Sequence, residues 1–546
     1  MTDYDRRPWL ARYTPGHPAE IEPEYPNTVA MFKAAVARNP EGDALRYFDG
    51  RITFAELDAM TDAFASGLLA AGFAAGDRVA LYLQNVPQFV IAQLGAWKAG
   101  GCTVSINPMY KERELAELLT DSGATVLVCL QSLHRDVAAR VAPNTSVRIM
   151  LTTSELDLQT RNDQTVFAGI ARIDCPGATD LLEFLQQHRD TTPPPSELGP
   201  DDIAFLTYTS GTTGPPKGAM TTHRNVVFNA RTYRDWIDLD GTDVTLGIAP
   251  LFHVTGLIGH IAVSLLTGMP LVLMYRLDPE LTLRTAREQS ATFTVGSVTV
   301  FIALLNSPAA RREDLATLTK IYSGGAPIPP STVQDFAAAF GHYIHNIYGL
   351  TETTSPSHAV PLGAEAPVDP TPGALSVGVP VYNTVVRIVG PDGTDLPPGE
   401  VGELVISGPQ VAAGYWNRPG EQAICDGTLR TGDVGYMDAD GWFYIVDRSK
   451  DQINAGGFKV WPREVEDVLY EHPAVREAAV VGVPDPYRGE TVHAFVSLKP
   501  GAAVTPEELI AFAKQRMAAY KYPRRVEILA EIPKTATGKI LRRELR

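Results

Sequence analysis

Residues Tyr208 to Gly218 read YTSGTTGPPKG and follow the apolar run Ile203 to Leu206. A short apolar run closed by glycines predicts a buried strand, so the loop must leave the end of a sheet. It holds three glycines, four Ser/Thr hydroxyls and one lysine. Glycines let backbone N–H groups turn inward and approach an anion closely. The hydroxyls add donors, and the lysine adds a cation. Such a loop suits a triphosphate. It is not the G-x-x-x-x-G-K-[ST] phosphate loop, because Pro216 precedes Lys217 and Gly218 comes after it.

The same texture extends upstream. Asp77 to Leu83, Cys102 to Ile106 and Ala124 to Leu130 are apolar, strand-like runs, separated by the helical patterns Pro87 to Ala99 and Lys111 to Ser122. Strand and helix alternating at this spacing predict a mostly parallel sheet covered on both faces. A Pro-rich stretch, Thr191 to Pro200, is expected to separate this region from the strand that leads into the glycine-rich loop. From Gly378 to Tyr444 short apolar runs, among them Thr384 to Val389 and Glu403 to Ser407, alternate with Gly and Pro and predict a small antiparallel sheet or barrel. With 546 residues the chain is too long for one core. The segment after Lys450 reads as a small α+β domain.

Lys and Arg number 47 against 63 Asp and Glu, a formal net charge of -16. That balance recruits neither nucleic acid nor an anionic membrane. The 96 residues after Lys450 carry 15 basic and 13 acidic side chains, so the acidity sits in the larger part. Cys102, Cys129, Cys175 and Cys425 lie far apart, with no zinc spacing, and are expected as buried or free thiols in a reducing compartment. The polar N-terminus lacks the apolar centre of a signal peptide, which points to the cytosol. Val254 to Tyr275 is the most membrane-like stretch, but Gly268-Met269-Pro270 breaks it, so a buried helix and then a buried strand are expected. No membrane anchor is read, and a peripheral meeting with a membrane surface stays open.

Further blocks come in order: PLFHVTG at Pro250 to Gly256, SGGAP at Ser323 to Pro327, and NIYGLTET at Asn346 to Thr353. LRTGD occupies Leu429 to Asp433, DRSK Asp447 to Lys450, NAGGFKV Asn454 to Val460, and PKTATGKILRR Pro533 to Arg543. Paired glycines let a flat ring or a thin chain lie against backbone. An aromatic can stack on a base, and an oxygen ligand can hold Mg²⁺ on phosphates. A carboxylate can accept both hydroxyls of a ribose. Each block alone reads as a turn or a charged surface.

Taken together and in this order, the blocks resemble the adenylate-forming superfamily of acyl-CoA synthetases, adenylation domains and beetle luciferases, nearest to long-chain fatty-acid–CoA ligases. The resemblance implies an α/β fold: a large N-terminal domain of two α/β sheet subdomains plus a small β-barrel, then a small mobile α+β C-terminal domain. The implied boundaries are 1–447, with the barrel at about 378–447, a hinge at 448–450, and 451–546. It further implies that Thr209, Ser210, Gly211, Thr212, Thr213, Gly214 and Lys217 hold phosphates and that His253 lines the acyl pocket. Gly324, Gly325 and Ala326 would border adenine, with Tyr348 facing it. Thr351 would contact the α-phosphate, and Glu352, with Thr209, would hold Mg²⁺. Asp433 and Arg448 would hold ribose, Lys450 would carry a domain rotation, and Gly456 and Gly457 would pass the pantetheine of coenzyme A. Lys539 resembles the lysine of adenylation. Leu429 stands where the family usually has an aromatic.

The implied reaction joins a carboxylic acid to ATP, releases pyrophosphate, and passes the acyl group to coenzyme A. RPWLARYTPGHPAEI, SINPMYKERELAELLTDSGA and GAMTTHRN look most like fatty-acid ligases. Phe252, Val298 and Phe301 would suit an aliphatic tail of medium to long chain. The alternatives are a fatty acyl-AMP ligase serving a carrier protein, a CoA ligase for an aromatic or alicyclic acid, a luciferase-like oxygenase, and an inactive nucleotide-binding relative. Oligomeric state stays open, a homodimer included.

Overall fold

The computed structural model describes residues 4–209, 216–369, 374–448, 451–455, 458–485, 489–535 and 539–546, with backbone alone for Arg448, Phe458 and Lys459. The expected elements form almost where the apolar runs lie. Arg78–Tyr82, Cys102–Ser105 and Val126–Leu130 are parallel strands of one seven-stranded sheet, joined by the helices Pro87–Lys98 and Glu112–Ser122. Every residue of Pro87–Lys98 is buried, which explains its lack of a polar face. Glu112–Ser122 is amphipathic and ends at Gly123, whose φ of 60° supplies the left-handed cap.

The Pro-rich stretch is not the boundary it was expected to be. Ile203–Thr209, beyond it, pairs in parallel with Cys102–Ser105, and Lys217–Thr222 then closes that edge antiparallel. Prolines at 193–195 break regular structure locally, but they do not prevent the next strand from returning to the same sheet.

A second sheet of nine strands contains the parallel neighbours Phe293–Gly296, Lys320–Ser323 and His345–Tyr348, and on its far side Thr245–Leu246 and Leu271–Leu273. Asp43–Tyr47, from near the N-terminus, joins that far side by pairing with Leu271–Leu273. The stretch from Val254 runs helically to Thr267, ends at Gly268 with φ 81°, and enters the buried strand Leu271–Leu273, as expected. Among the described residues no helix is long and apolar enough to cross a membrane.

Five antiparallel strands come next, from Val385–Val389 to Phe443–Arg448. A smaller C-terminal unit pairs Val475–Asp485 with Gly489–Leu498, adds Arg525–Ile528 in parallel, and packs the helices Pro462–Tyr470 and Pro506–Arg516 around its own apolar cluster. The architecture is therefore a large N-terminal part of α/β sheets and, after it, a small α+β unit. Cys102, Cys129 and Cys175 are buried free thiols, and Cys425 is an exposed one.

Candidate active site

Two of the sequence blocks, SGGAP and NIYGLTET, meet because the strands that carry them are parallel neighbours, with Phe293–Gly296 next in the same sheet. Gly296, Ser323 and Tyr348 end Phe293–Gly296, Lys320–Ser323 and His345–Tyr348, so the residues after them form one rim at the carboxyl ends of the sheet. Ligands of open α/β sheets bind at such a rim. Gly324 needs to be glycine: a Cβ there would lie 2.4 Å from the carbonyl oxygen of Ile347. Gly325, with φ 78°, faces open space, and Ala326 is partly buried against the core.

Tyr348 donates its hydroxyl to Asp433 Oδ2 at 2.6 Å. Asp433 arrives on the antiparallel strand Thr428–Met437, opposite the backbone of Arg448. The adenine-side aromatic and the ribose-side acid expected from separate blocks are thus in direct contact.

Thr209 ends its strand directly opposite Lys217. The Lys217 ammonium is ion-paired with Glu421 and lies 5.3 Å from the centre of the Tyr415 ring. Tyr415 in turn donates to Glu352 Oε1 at 2.6 Å, and the backbone N–H of Ala412 donates to the Glu352 carbonyl at 2.8 Å. Residues 412–418 reach this point by lying along Lys217–Thr222. Met220 N–H donates to the Gly414 carbonyl, Ala413 N–H to the Met220 carbonyl, and Trp416 N–H to the Gly218 carbonyl. Glu352 and Thr351 project from the short 3₁₀ turn Thr351–Thr353. Tyr415 and Glu421 were missed in the sequence, where nothing local marks a tyrosine and a glutamate as partners of Glu352 and Lys217.

His253 caps the helical stretch beginning at Val254, accepting from the Thr255 N–H at 3.3 Å. Burial pushes its imidazole down to about 4, and the positive charge of Lys539 adds to this. Lys539 belongs to the C-terminal unit. Thr535 N–H donates to the Lys539 carbonyl at 2.7 Å, Lys539 N–H donates to Thr535 Oγ1 at 3.1 Å, and Lys534 pairs antiparallel with Ile540. Lys539, from a distant part of the chain, is thus near enough for its charge to act on His253.

The C-terminal unit is also tied to the strand Phe443–Arg448. Arg463 N–H donates to Asp447 Oδ2 at 3.2 Å and its guanidinium to the Ile445 carbonyl at 2.7 Å. Arg542 pairs with both oxygens of Glu466 at 2.9 Å and reaches Asp447 and Asp451 at 3.5 Å. Ser210, Gly211, Thr212, Thr213, Gly214, Lys450, Gly456 and Gly457 lie outside the described residues, as does the side chain of Arg448. Of the three pocket candidates, Phe301 is wholly buried edge-on against Phe336, 5.5 Å between centroids, and Phe252 and Val298 are also core residues.

This site sits in a chain that belongs to the AMP-binding enzyme family. The family profile matches residues 32–416, and that of the AMP-binding enzyme C-terminal domain matches residues 464–539. More particularly, the chain is 39% identical over 555 residues to a long-chain-fatty-acid–CoA ligase of Bacillus subtilis (strain 168), covering 99% of this chain and 98% of that protein. It is 36% identical over 510 residues to a feruloyl-CoA synthase of an Amycolatopsis species, covering 93% and 96%. Among solved structures, the anthranilate CoA ligase AuaEII in complex with anthranoyl-AMP superposes with a TM-score of 0.85 at 27% identity, covering 97% of each chain.

Proposed function

We propose that this chain activates a medium- or long-chain fatty acid with ATP, releasing pyrophosphate, and transfers the acyl group to coenzyme A, releasing AMP. It is an AMP-forming acid–thiol ligase. The observation that carries the reading is the convergence of Tyr348 with Asp433, and of Lys217 and Glu352 on Tyr415, beside the carboxyl end of the strand His345–Tyr348. Attack of a carboxylate on the α-phosphorus brings two anions together, so the requirement is positional and electrostatic. Lys217 and Lys539 supply the cations. Tyr348 and Asp433 would hold the nucleoside, with Gly324, Gly325 and Ala326 beside the base. Neutral His253 would border the acyl group without adding charge. Thr351 would meet the α-phosphate.

Mg²⁺ fits the donor set. Among the described residues no three His, Cys, Asp or Glu side chains cluster as a cage. One carboxylate, Glu352, with one hydroxyl, Thr209, is the set expected when phosphates and waters complete the shell. Bound there, the ion would neutralise phosphate charge.

Residues 1–447 would then hold ATP and acid, with 451–546 turning about 448–450 between the half-reactions. Such a turn would have to break the Arg463–Asp447 and Arg542–Asp447 contacts. The fatty acid is supported by the Bacillus subtilis relative, whose length the chain matches throughout. The feruloyl-CoA synthase relative favours an aromatic acid as the second reading. The test is pyrophosphate release with ATP and Mg²⁺ over a panel of acids, with acyl-CoA assayed by mass. Acyl-CoA from C8 to C18 acids (lengths chosen to span roughly an apolar pocket) is the expected result. Product from aromatic acids alone would move the reading to the second substrate. Pyrophosphate without any CoA thioester would point to a carrier-protein acceptor.

A further inference from the structure

The helix His223–Trp236 runs behind the site, and its polar residues take no part in the chemistry above. Asn225, Asn229 and Tyr233 are spaced by four, so they share one face. All three are buried. The Asn229 amide nitrogen shares its two N–H hydrogens among three consecutive carbonyls, those of Thr353 at 3.1 Å, Thr354 at 2.7 Å and Ser355 at 2.6 Å. One turn on, the Tyr233 hydroxyl meets Ser355 Oγ at 3.2 Å. The Asn229 side-chain oxygen accepts no hydrogen bond among the described residues, so this side chain serves as a donor alone.

The turn it grips is one that its own residues do not favour. Thr354 and Ser355 have φ of 51° and 34°, the left-handed region that a β-branched residue seldom enters. Such a conformation persists only where the surroundings over-determine it. It comes directly after Thr351–Thr353, from which Thr351 and Glu352 project. Asn225 acts on the other side of the same acid. It donates to the carbonyls of Pro409 at 2.7 Å and Val411 at 3.1 Å, and the next residue, Ala412, donates its N–H to the Glu352 carbonyl. One helix face therefore pins both segments that fix Glu352.

We propose that Asn229 is a positioning residue of the adenylation step: it holds the 353–355 turn, and through it Thr351 and Glu352, without touching substrate. This rests on the ligase reading above. Removing the donors takes the Asn229 tie from all three carbonyls, and the turn relaxes by the fraction of an ångström that an in-line attack does not tolerate.

Asn229→Leu removes the donors at similar volume, and Thr232→Val, whose hydroxyl among the described residues bonds the Phe228 carbonyl of its own helix, is the control. Rates are taken per mole of folded protein. In Asn229→Leu the kcat of pyrophosphate release should fall about 100-fold, with the KM for ATP and the transfer to CoA from supplied acyl-adenylate each within about threefold of wild type. Thr232→Val should leave both half-reactions unchanged. If Asn229→Leu does not fold, Tyr233→Phe keeps the ring and removes one tie, and should lower adenylation alone by about tenfold. Adenylation unchanged in the folded variant, or both half-reactions falling together, would overturn the proposal. Wild-type protein silent on every acid would instead overturn the ligase reading beneath it.

Discussion

Tyr415 donates its hydroxyl hydrogen to Glu352 Oε1 at 2.6 Å while its ring lies against the Lys217 ammonium. One side chain thus links an acid and a base that lie on different elements. Burial, and then the Glu352 carboxylate, push the phenol well above its usual range, so it stays a donor at any physiological pH. Tyr415→Phe keeps the ring and loses the bond. Adenylation should fall about tenfold, the scale of one hydrogen bond to a charged group. Pyrophosphate release measures it, and an unchanged rate would mean that Glu352 is held by its backbone alone.

Lys539→Ala should separate the half-reactions. It removes a cation that, in the proposed chemistry, acts only while pyrophosphate leaves. Pyrophosphate release should drop by about 100- to 1000-fold, the scale of losing one preorganised stabiliser. Thioester formation from supplied acyl-adenylate should survive. Equal loss of both would contradict the role given to this lysine.

The ion pair of Lys217 with Glu421 is about one-third exposed on each side and competes with any phosphate for the ammonium. Glu421→Gln should therefore lower the KM for ATP by about two- to threefold, a small effect because solvent screens the pair. A raised KM would show that Glu421 orients Lys217 rather than restraining it.

Acid should destabilise this fold through its histidines. Burial holds His223, His253, His260 and His345 down at about 4 and His358 at about 3, from an ordinary value of 6.5. His260 shows why: its Nε2 accepts the Ala249 N–H at 3.0 Å, which an imidazolium cannot do. The unfolded chain binds protons below about 6.5 and the folded one does not until about 4. The stabilisation is complete above the unfolded value and is lost as pH falls from there toward the folded one. The urea midpoint at about pH 5 should lie clearly below that at about pH 7; identical midpoints would mean these rings are already protonated in the native state.

Much of the local structure could be read in the chain. Apolar runs located Arg78–Tyr82, Val126–Leu130 and Val385–Val389 to within two residues, and the Gly268 break placed the change from helix to strand. These are properties of neighbours in sequence: side-chain period, β-branching, and a glycine that alone accepts positive φ without strain. The order of the glycine- and hydroxyl-rich blocks likewise marked the family.

What the chain could not disclose by itself was who meets whom. Ile203–Thr209 lies beyond a Pro-rich stretch yet pairs with Cys102–Ser105, because a strand is claimed by the free edge available to it and not by its distance in sequence. Tyr348 on Asp433, Tyr415 on Glu352, and Asn229 on three carbonyls join side chains whose local sequence carries no mark of the partner. Sequence determined the elements and the chemical groups, since those arise from local sterics and residue type. Tertiary packing decided the constellation, since a hydrogen bond between distant residues forms only after the sheets have stacked and their rims have been brought together.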